Sequence, residues 1–202
     1  MAELFIELLS EEIPAKLQVD ARRRIKEMLE EKLKKKEINF KFSKSFSTPK
    51  RLIFFIDGLP EKIEEKGKVI KGPKVDAPKI ALEGFIKSNN LSKSDVYKKE
   101  IEKGEFYFAQ TKSKTIDILK ELQLIIPETL KTYSWKKSMK WSSYDLNWAR
   151  PLKSIISLFN NKIINFDFFH LKSGNLTSID GVNDEKIKKI TNFKNYLDII
   201  KS

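Results

Sequence analysis

The spacing of apolar residues predicts a strand and then a long helix at the start of the chain. Residues 4–9 form a short apolar run around Glu7, which has the length and composition of a strand. Apolar side chains then recur every third or fourth residue over 14–36, so we expect one buried face on a helix. These positions are Leu17, Ala21, Ile25, Met28, Leu29 and Leu33. Pro14 suits the first turn of that helix.

A hairpin is predicted next. Phe40 and Phe42 alternate with polar residues, and 52–56 is an apolar block. The segment between them, Thr48-Pro49-Lys50-Arg51, favours a turn, because proline fixes φ and threonine can bond back to the backbone. Residues 1–60 therefore predict a small strand–helix–strand–strand domain.

The rest of the pattern predicts helices and strands in mixed order, and so an α+β fold. The predicted helices cover 76–88, 115–133 and 151–159, and Pro151 opens the last one. The predicted strands cover 96–101, 106–111, 139–142 and 163–171. We expect 61–173 to form a larger mixed α+β domain and 174–202 to begin a further, truncated domain.

Composition narrows the class of protein. The chain has 202 residues, of which 40% are apolar and 34% charged, as in an ordinary globular protein. It has no cysteine, and His170 is its only histidine, so thiolate sites and multi-histidine metal sites are excluded. No apolar run is long enough to span a membrane, and the acidic N-terminus does not suit a signal peptide. We expect a cytoplasmic protein.

The formal net charge of +12 favours a nucleic-acid partner, because lysine and arginine release counterions when they meet phosphates. An alternative is a compositional bias. Of the 40 cationic residues, 35 are lysine, and isoleucine and asparagine are abundant. An AT-rich genome would encode this composition whatever the function.

Catalytic motifs are absent: the sequence contains no phosphate-binding glycine loop, zinc-binding helix motif or nucleophile elbow. His170 lies in an apolar run, which favours a structural role. The cations at the predicted hairpin tip, Lys50 and Arg51, are better candidates for a site, because a turn would expose them to a phosphate. No carboxylate is close to them in sequence.

A second group of cations, Lys137, Lys140 and Arg150, is interleaved with aromatic residues. The aromatic residues are Trp135, Trp141 and Trp148. Rings can stack on bases while cations meet phosphates, which suits RNA. The alternative is that the tryptophans are core anchors and Arg150 pairs with a carboxylate such as Asp145.

Four short segments stand out, in order along the chain: Glu7-Leu8-Leu9-Ser10-Glu11-Glu12-Ile13-Pro14, Thr48-Pro49-Lys50-Arg51-Leu52, Lys137-Ser138-Met139-Lys140-Trp141 and Arg150-Pro151-Leu152. Together they resemble motifs of the beta subunit of the two-subunit bacterial glycyl-tRNA synthetases. Lys71-Gly72-Pro73 and Ala81-Leu82-Glu83-Gly84-Phe85 are similar to two more. One segment departs from the family: Ser178-Ile179-Asp180-Gly181-Val182 stands where the family has a G-H-R-F motif.

The resemblance implies a function. The chain would be the N-terminal part of a subunit that supports ATP-dependent ligation of glycine to tRNA(Gly). In that family the alpha subunit activates the amino acid with ATP and Mg, while the beta subunit binds tRNA and completes an alpha2beta2 assembly. We therefore expect no catalytic residue and no cofactor in this chain. A stand-alone RNA-binding module and a non-catalytic scaffold are the alternatives.

Overall fold

The computed structural model describes residues 2–101, 104–140, 146–180 and 185–201. Two compact units make up the chain: unit 1 comprises Met1–Glu61 and Asp117–Ser202, and unit 2 is Lys62–Ile116. This division differs from the predicted domains 61–173 and 174–202. Strands and helices after residue 117 belong with the N-terminal residues, because they complete the same sheet and cover it.

The elements follow one another in a mixed order, with runs of strands between four helices, which confirms the predicted α+β fold class. The first four are β1 (Ala2–Ser10), α1 (Ala15–Lys35), β2 (Phe42–Thr48) and β3 (Arg51–Leu59). The next six are β4 (Lys62–Glu65), β5 (Val69–Lys74), α2 (Lys79–Ser88), β6 (Val96–Ile101), β7 (Gly104–Gln110) and β8 (Lys114–Asp117).

Unit 1 then resumes with a helix and a series of mostly short strands. These are α3 (Ile118–Thr132), β9 (Met139–Lys140), β10 (Asn147–Trp148), β11 (Leu152–Phe159), β12 (Lys162–Ile163), β13 (Asp167–Phe168), β14 (Leu171–Lys172), β15 (Leu176–Asp180), β16 (Glu185–Lys189) and α4 (Phe193–Lys201). Among the described residues, no helix is long and apolar enough to cross a membrane.

A five-stranded sheet is the centre of unit 1, with the strand order β12-β11-β1-β3-β2. β1 lies in the middle and pairs antiparallel with both β3 and β11. Glu7 of β1 is therefore flanked by Ile53 on one side and Ile156 on the other. Both faces of β1 are covered by packed residues, which accounts for its nearly continuous apolar run.

Helix α1 covers one face of the sheet. The predicted apolar stripe is buried at Ala21, Ile25, Leu29 and Leu33, and the helix ends within one residue of its predicted bounds. Lys26 donates a hydrogen bond to Ser43 Oγ of β2 at 3.2 Å, which anchors the helix at the edge of the sheet.

The opposite face packs against the C-terminal residues. Phe5, Ile53 and Ile156 form a buried cluster with Ile190 and Tyr196. Phe193 of α4 stacks on Phe55 with a ring-centroid distance of 4.4 Å. Residues 174–201, where described, thus complete the core of unit 1 instead of beginning a separate domain.

Two predicted elements are wrong. Residues 151–159 form strand β11 and not a helix, and 163–171 is divided among short strands separated by turns. Residues 155–159 of β11 are buried in succession because both faces of the strand are covered. A short apolar run of this length does not distinguish a buried strand from a buried helix.

Unit 2 is built around a three-stranded antiparallel sheet with the order β5-β7-β6. The predicted hairpin between β6 and β7 is confirmed. Helix α2 packs on β5, where a Cβ at Gly72 would lie 2.9 Å from the Phe85 ring. In its described residues, 62–101 and 104–116, Ala109 is the only buried side chain.

Candidate nucleic-acid interface

Three separate segments meet at one end of the central sheet. Because β1 is antiparallel to both neighbours, its C-terminal end lies beside the start of β3 and the start of β11. The Ser10 amide donates to the Lys50 carbonyl at 2.8 Å, and the Glu11 amide donates to the Pro151 carbonyl at 3.0 Å. These bonds fix the β2–β3 turn and the residues before β11 against the end of β1.

An open cleft of about 380 Å³ lies at this junction. Its lining residues are Glu11, Glu12, Lys50, Arg150 and Lys153. Two of the five predicted cations, Lys50 and Arg150, are therefore brought together from positions 100 residues apart. Lys153 was not predicted, because residues 151–159 were assigned to a helix, which gave no reason to place that side chain beside the turn.

Arg150 is held by the backbone. Its Nε donates to the Glu12 carbonyl oxygen at 3.1 Å. A guanidinium has five N–H donors in a planar fork, and this bond uses one of them. The orientation is thus fixed by a neutral acceptor, while the positive charge still faces the cleft. The predicted partner Asp145 lies outside the described residues.

The charges of the cleft are mixed. Lys50, Arg150 and Lys153 supply three positive charges, and Glu11 and Glu12 supply two negative ones. The two carboxylates are exposed to solvent, where their effect on the cations is screened by salt. The arrangement suits a phosphate held by Arg150 and a lysine, with the carboxylates limiting how many phosphates can gather there.

The side chain of Arg51 is not exposed at the hairpin tip as predicted. Its side chain is only 11% exposed, and its Nε lies 3.0 Å from Oε2 of Glu7, which is fully buried. Its Nη2 also donates to the Ser178 carbonyl. The expectation of an exposed cation at the hairpin tip is therefore wrong for Arg51, because its side chain lies along the sheet beside β1. The carboxylate that neutralises it is 44 residues earlier in the chain.

Glu7 is the centre of a buried polar cluster, which sequence reasoning did not identify. Besides Arg51, it accepts hydrogen bonds from the hydroxyls of Thr177 and Tyr196. Burial, and then the Glu7 carboxylate, raise the pKa of Tyr196. The cluster joins β1, β3, β15 and α4 through side chains, so it holds the C-terminal residues to the sheet.

Two of the three tryptophans interleaved with the second group of predicted cations are described by the structure. Trp135 and Trp148 are both buried and pack edge-to-face, with their ring centroids 5.1 Å apart. The ring centroid of Trp148 is also 5.9 Å from that of Phe168. These two rings are core anchors, as the packing alternative expects. Trp141 lies outside the described residues.

The other predicted cations are separate from the cleft. Lys137 and Lys140 are exposed, and neither lines it. His170 is exposed in the turn between β13 and β14, where its Nε2 lies 3.1 Å from the Leu152 carbonyl oxygen. In the described part of the chain, no group of three or more acidic or histidine side chains could hold a metal ion.

Comparison with known proteins identifies the family to which the chain belongs. Residues 4–202 match the family described as glycyl-tRNA synthetase beta subunit. The glycine–tRNA ligase beta subunit of Rickettsia typhi is 37% identical over 196 residues, which cover 97% of this chain and 29% of that protein. The beta subunit of Rickettsia bellii is also 37% identical, over 97% of this chain and 30% of its own length.

The chain therefore belongs to the glycyl-tRNA synthetase beta subunit family, as the motifs indicated. It corresponds to the N-terminal region of that subunit. The chain spans about 30% of the length of the curated relatives it matches.

Proposed function

We propose that this chain contributes tRNA binding and subunit contacts to a cytoplasmic glycine–tRNA ligase. Its partners would be a catalytic alpha subunit, which uses ATP and Mg, and tRNA(Gly). Family membership supports this role. So does the absence of a nucleotide-binding motif from the sequence, since activation would then fall to the other subunit.

The observation that supports tRNA contact is the convergence of Lys50, Arg150 and Lys153 in one cleft. Arg150 is oriented by a backbone carbonyl, so little ordering entropy is lost when it binds a phosphate. Arg51 is not part of this contact, because its guanidinium is paired with Glu7. Lys137 and Lys140 are exposed and stay as predicted secondary contacts.

A salt series of tRNA(Gly) binding tests the cleft. The change Lys50→Ala with Arg150→Ala should weaken binding and reduce the slope of log K against log salt by about 1.8, or 0.9 for each lost phosphate contact. Lys34→Ala with Lys35→Ala, at the exposed end of α1, is a matched control that removes the same charge. Equal slopes for the two double variants would show that the cleft has no special role.

Association with the alpha subunit tests the enzymatic role. The purified chain should show no glycine-dependent ATP–pyrophosphate exchange, and it should co-purify with the alpha subunit when the two are expressed together. Exchange activity without the partner would contradict the proposal. Binding of tRNA without binding of the alpha subunit would instead favour a stand-alone RNA-binding module.

A further inference from the structure

The three-stranded sheet of unit 2 has a face that combines aromatic rings with lysines. The strand register places Tyr97 opposite Phe108, Lys99 opposite Phe106, and Lys71 and Lys74 of β5 opposite Phe108 and Phe106. We call this surface the aromatic–lysine face. Its members are Val69, Lys71, Lys74, Tyr97, Lys99, Phe106 and Phe108.

The lysines lie over the rings. Lys71 Nζ is 3.6 Å from the centroid of the Phe106 ring, and Lys74 Nζ is 5.7 Å from it. Lys99 Nζ is 6.0 Å from the Phe108 centroid. Tyr97 and Phe108 stack, with centroids 6.2 Å apart and an angle of 25° between their planes. Rings and ammonium groups are therefore interleaved across all three strands.

Carboxylates do not share this face. In the described residues of β5, β6 and β7, the two acidic side chains are Glu100 and Glu105. They pair with each other across the hairpin, one position beyond Lys99 and Phe106, so the alternation of the strands places them on the opposite face. Among the described residues of the three strands, no carboxylate therefore shares a face with the three lysines.

The two faces of the sheet are also covered differently. Ala109, on the other face, is fully buried. On the aromatic–lysine face, Tyr97 is 44% exposed and Val69 is 55% exposed. Lysine stems often cover apolar rings simply to shield them from water. That role does not account for a half-exposed tyrosine on the edge strand β6, nor for the position of both strand carboxylates on the opposite face.

We propose that the aromatic–lysine face binds a short single-stranded segment of RNA. Bases stack on aromatic rings, with little regard to sequence, while cations beside the rings meet the phosphates. The three strands span about 10 Å at ~4.8 Å per strand, and a sheet of comparable width with two or three rings stacks two or three bases. An exposed cation–π contact is weak, so a base can displace a lysine from a ring and leave it free for a phosphate.

An acidic protein segment is the competing ligand. It would satisfy the lysines, but it would make no use of three rings aligned on one face. The rings therefore favour a nucleic acid. The proposal concerns single-stranded RNA in general, so it stands apart from the glycine-ligation role and from the cleft in unit 1.

Fluorescence anisotropy with the full chain and a labelled single-stranded RNA decamer tests the proposal. Tyr97→Ala should weaken binding by at least about fivefold through lost stacking, while Tyr97→Phe should bind as the wild type does. The same tyrosine change should have no effect on binding to duplex RNA, whose bases are not available for stacking. Circular dichroism and thermal melting confirm that the variants fold.

A charge series separates the face from general electrostatics. Lys71→Ala with Lys74→Ala and Lys99→Ala should lower the salt slope for the decamer by about 2, or 0.7 for each contact. The matched control, Lys66→Ala with Lys93→Ala and Lys98→Ala, removes the same charge from unit 2 outside this face and should leave the slope nearly unchanged.

Three results would overturn the proposal. They are wild-type affinity in Tyr97→Ala, an equal loss of slope in the control triple variant, and competition by an acidic decapeptide that is insensitive to Tyr97→Ala. The last would assign the face to a protein partner. Repeating the Tyr97 change in the Lys50→Ala, Arg150→Ala background distinguishes the two sites, because the Tyr97 effect should persist when the cleft is disabled.

Discussion

The two units use the same kinds of residue in opposite ways. In unit 1, Arg51 is buried against a carboxylate, and Trp148 is only 1% exposed within a group of rings. In unit 2, Lys71 and Lys99 lie over the partly buried rings of Phe106 and Phe108, and no described acidic residue of the three strands shares their face. These groups of unit 1 direct a cation and aromatic rings inward, and the aromatic–lysine face of unit 2 directs the same kinds of residue to solvent.

The difference separates groups that stabilise the fold from groups available to a ligand. A buried arginine that already has a carboxylate and a carbonyl partner has little left to offer a phosphate. An exposed lysine on a ring loses only a weak contact when it turns to one. Substitutions at Glu7, Arg51 and Trp148 should therefore reduce the free energy of unfolding, and those on the aromatic–lysine face should mainly change binding.

The largest effect is expected at Glu7. The change Glu7→Ala leaves Arg51 buried without its counter-charge, which should lower the free energy of unfolding by about 3–5 kcal/mol. Urea denaturation measures the change. Glu7→Leu with Arg51→Met removes both charges together and should recover much of the loss. A double variant as unstable as Glu7→Ala would show that the pairing is not the cause.

Removing one ring from each unit sharpens the comparison. Trp148→Ala should destabilise by about 3–5 kcal/mol, because it opens a cavity beside Trp135 and Phe168. Tyr97→Ala removes a partly exposed ring and should cost about 1 kcal/mol or less. Thermal melting of both variants checks this, and similar midpoints would contradict the contrast between the units.

Tyrosine ionisation provides a pH test. Burial, followed by the Glu7 carboxylate, raises the pKa of Tyr196, and burial, followed by the Asp20 carboxylate, raises the pKa of Tyr133 to about 12. Unfolded tyrosine ionises near pH 10. The stabilisation is thus complete below pH 10 and falls as the pH rises towards 12, because the unfolded chain loses these protons first.

The change Tyr196→Phe should make that alkaline decline shallower. At pH 7 the same variant should lose about 1.5–3 kcal/mol, the value of a hydrogen bond to a charged group. Denaturant midpoints between pH 7 and pH 12 measure both effects. An alkaline slope identical to that of the wild type would place the Tyr196 hydroxyl outside the buried cluster.

The smallest effect is expected at Lys71. Its ammonium lies 3.6 Å from the Phe106 centroid, and an exposed cation–π contact is worth about 0.5–1 kcal/mol. Lys71→Ala should reduce stability by no more than that, with Lys66→Ala as the control in the same unit. A loss of several kcal/mol would mean that Lys71 serves mainly to cover the ring.

Local patterns in the sequence predicted local structure well. Helix α1 was predicted as 14–36 and is Ala15–Lys35, because its apolar spacing matches one helical face over six turns. The turn at Pro49-Lys50 was predicted by proline chemistry. Strand β11 was mistaken for a helix, since a strand covered on both faces is apolar at successive positions.

The site depended on contacts that no local pattern contains. Lys50 and Arg150 line the same cleft because β1 pairs with both β3 and β11. Arg51 is neutralised by Glu7, which lies 44 residues earlier in the chain. The family motifs do include residues of the cleft and of the buried ion pair, since Glu7, Arg51 and Arg150 all lie within them. They identified the family, which the comparison confirms, but not which cation is buried.

The central position of β1 also affects the order of events on the ribosome. β3 is complete by Leu59, but β11 ends at Phe159, about 100 residues later. At ~5–20 residues per second, that interval lasts about 5–20 s. Throughout it, one hydrogen-bonding edge of an apolar strand has no native neighbour, and such edges attract other chains. Newly made copies should therefore be most prone to aggregation, and most dependent on chaperones, before β11 has emerged.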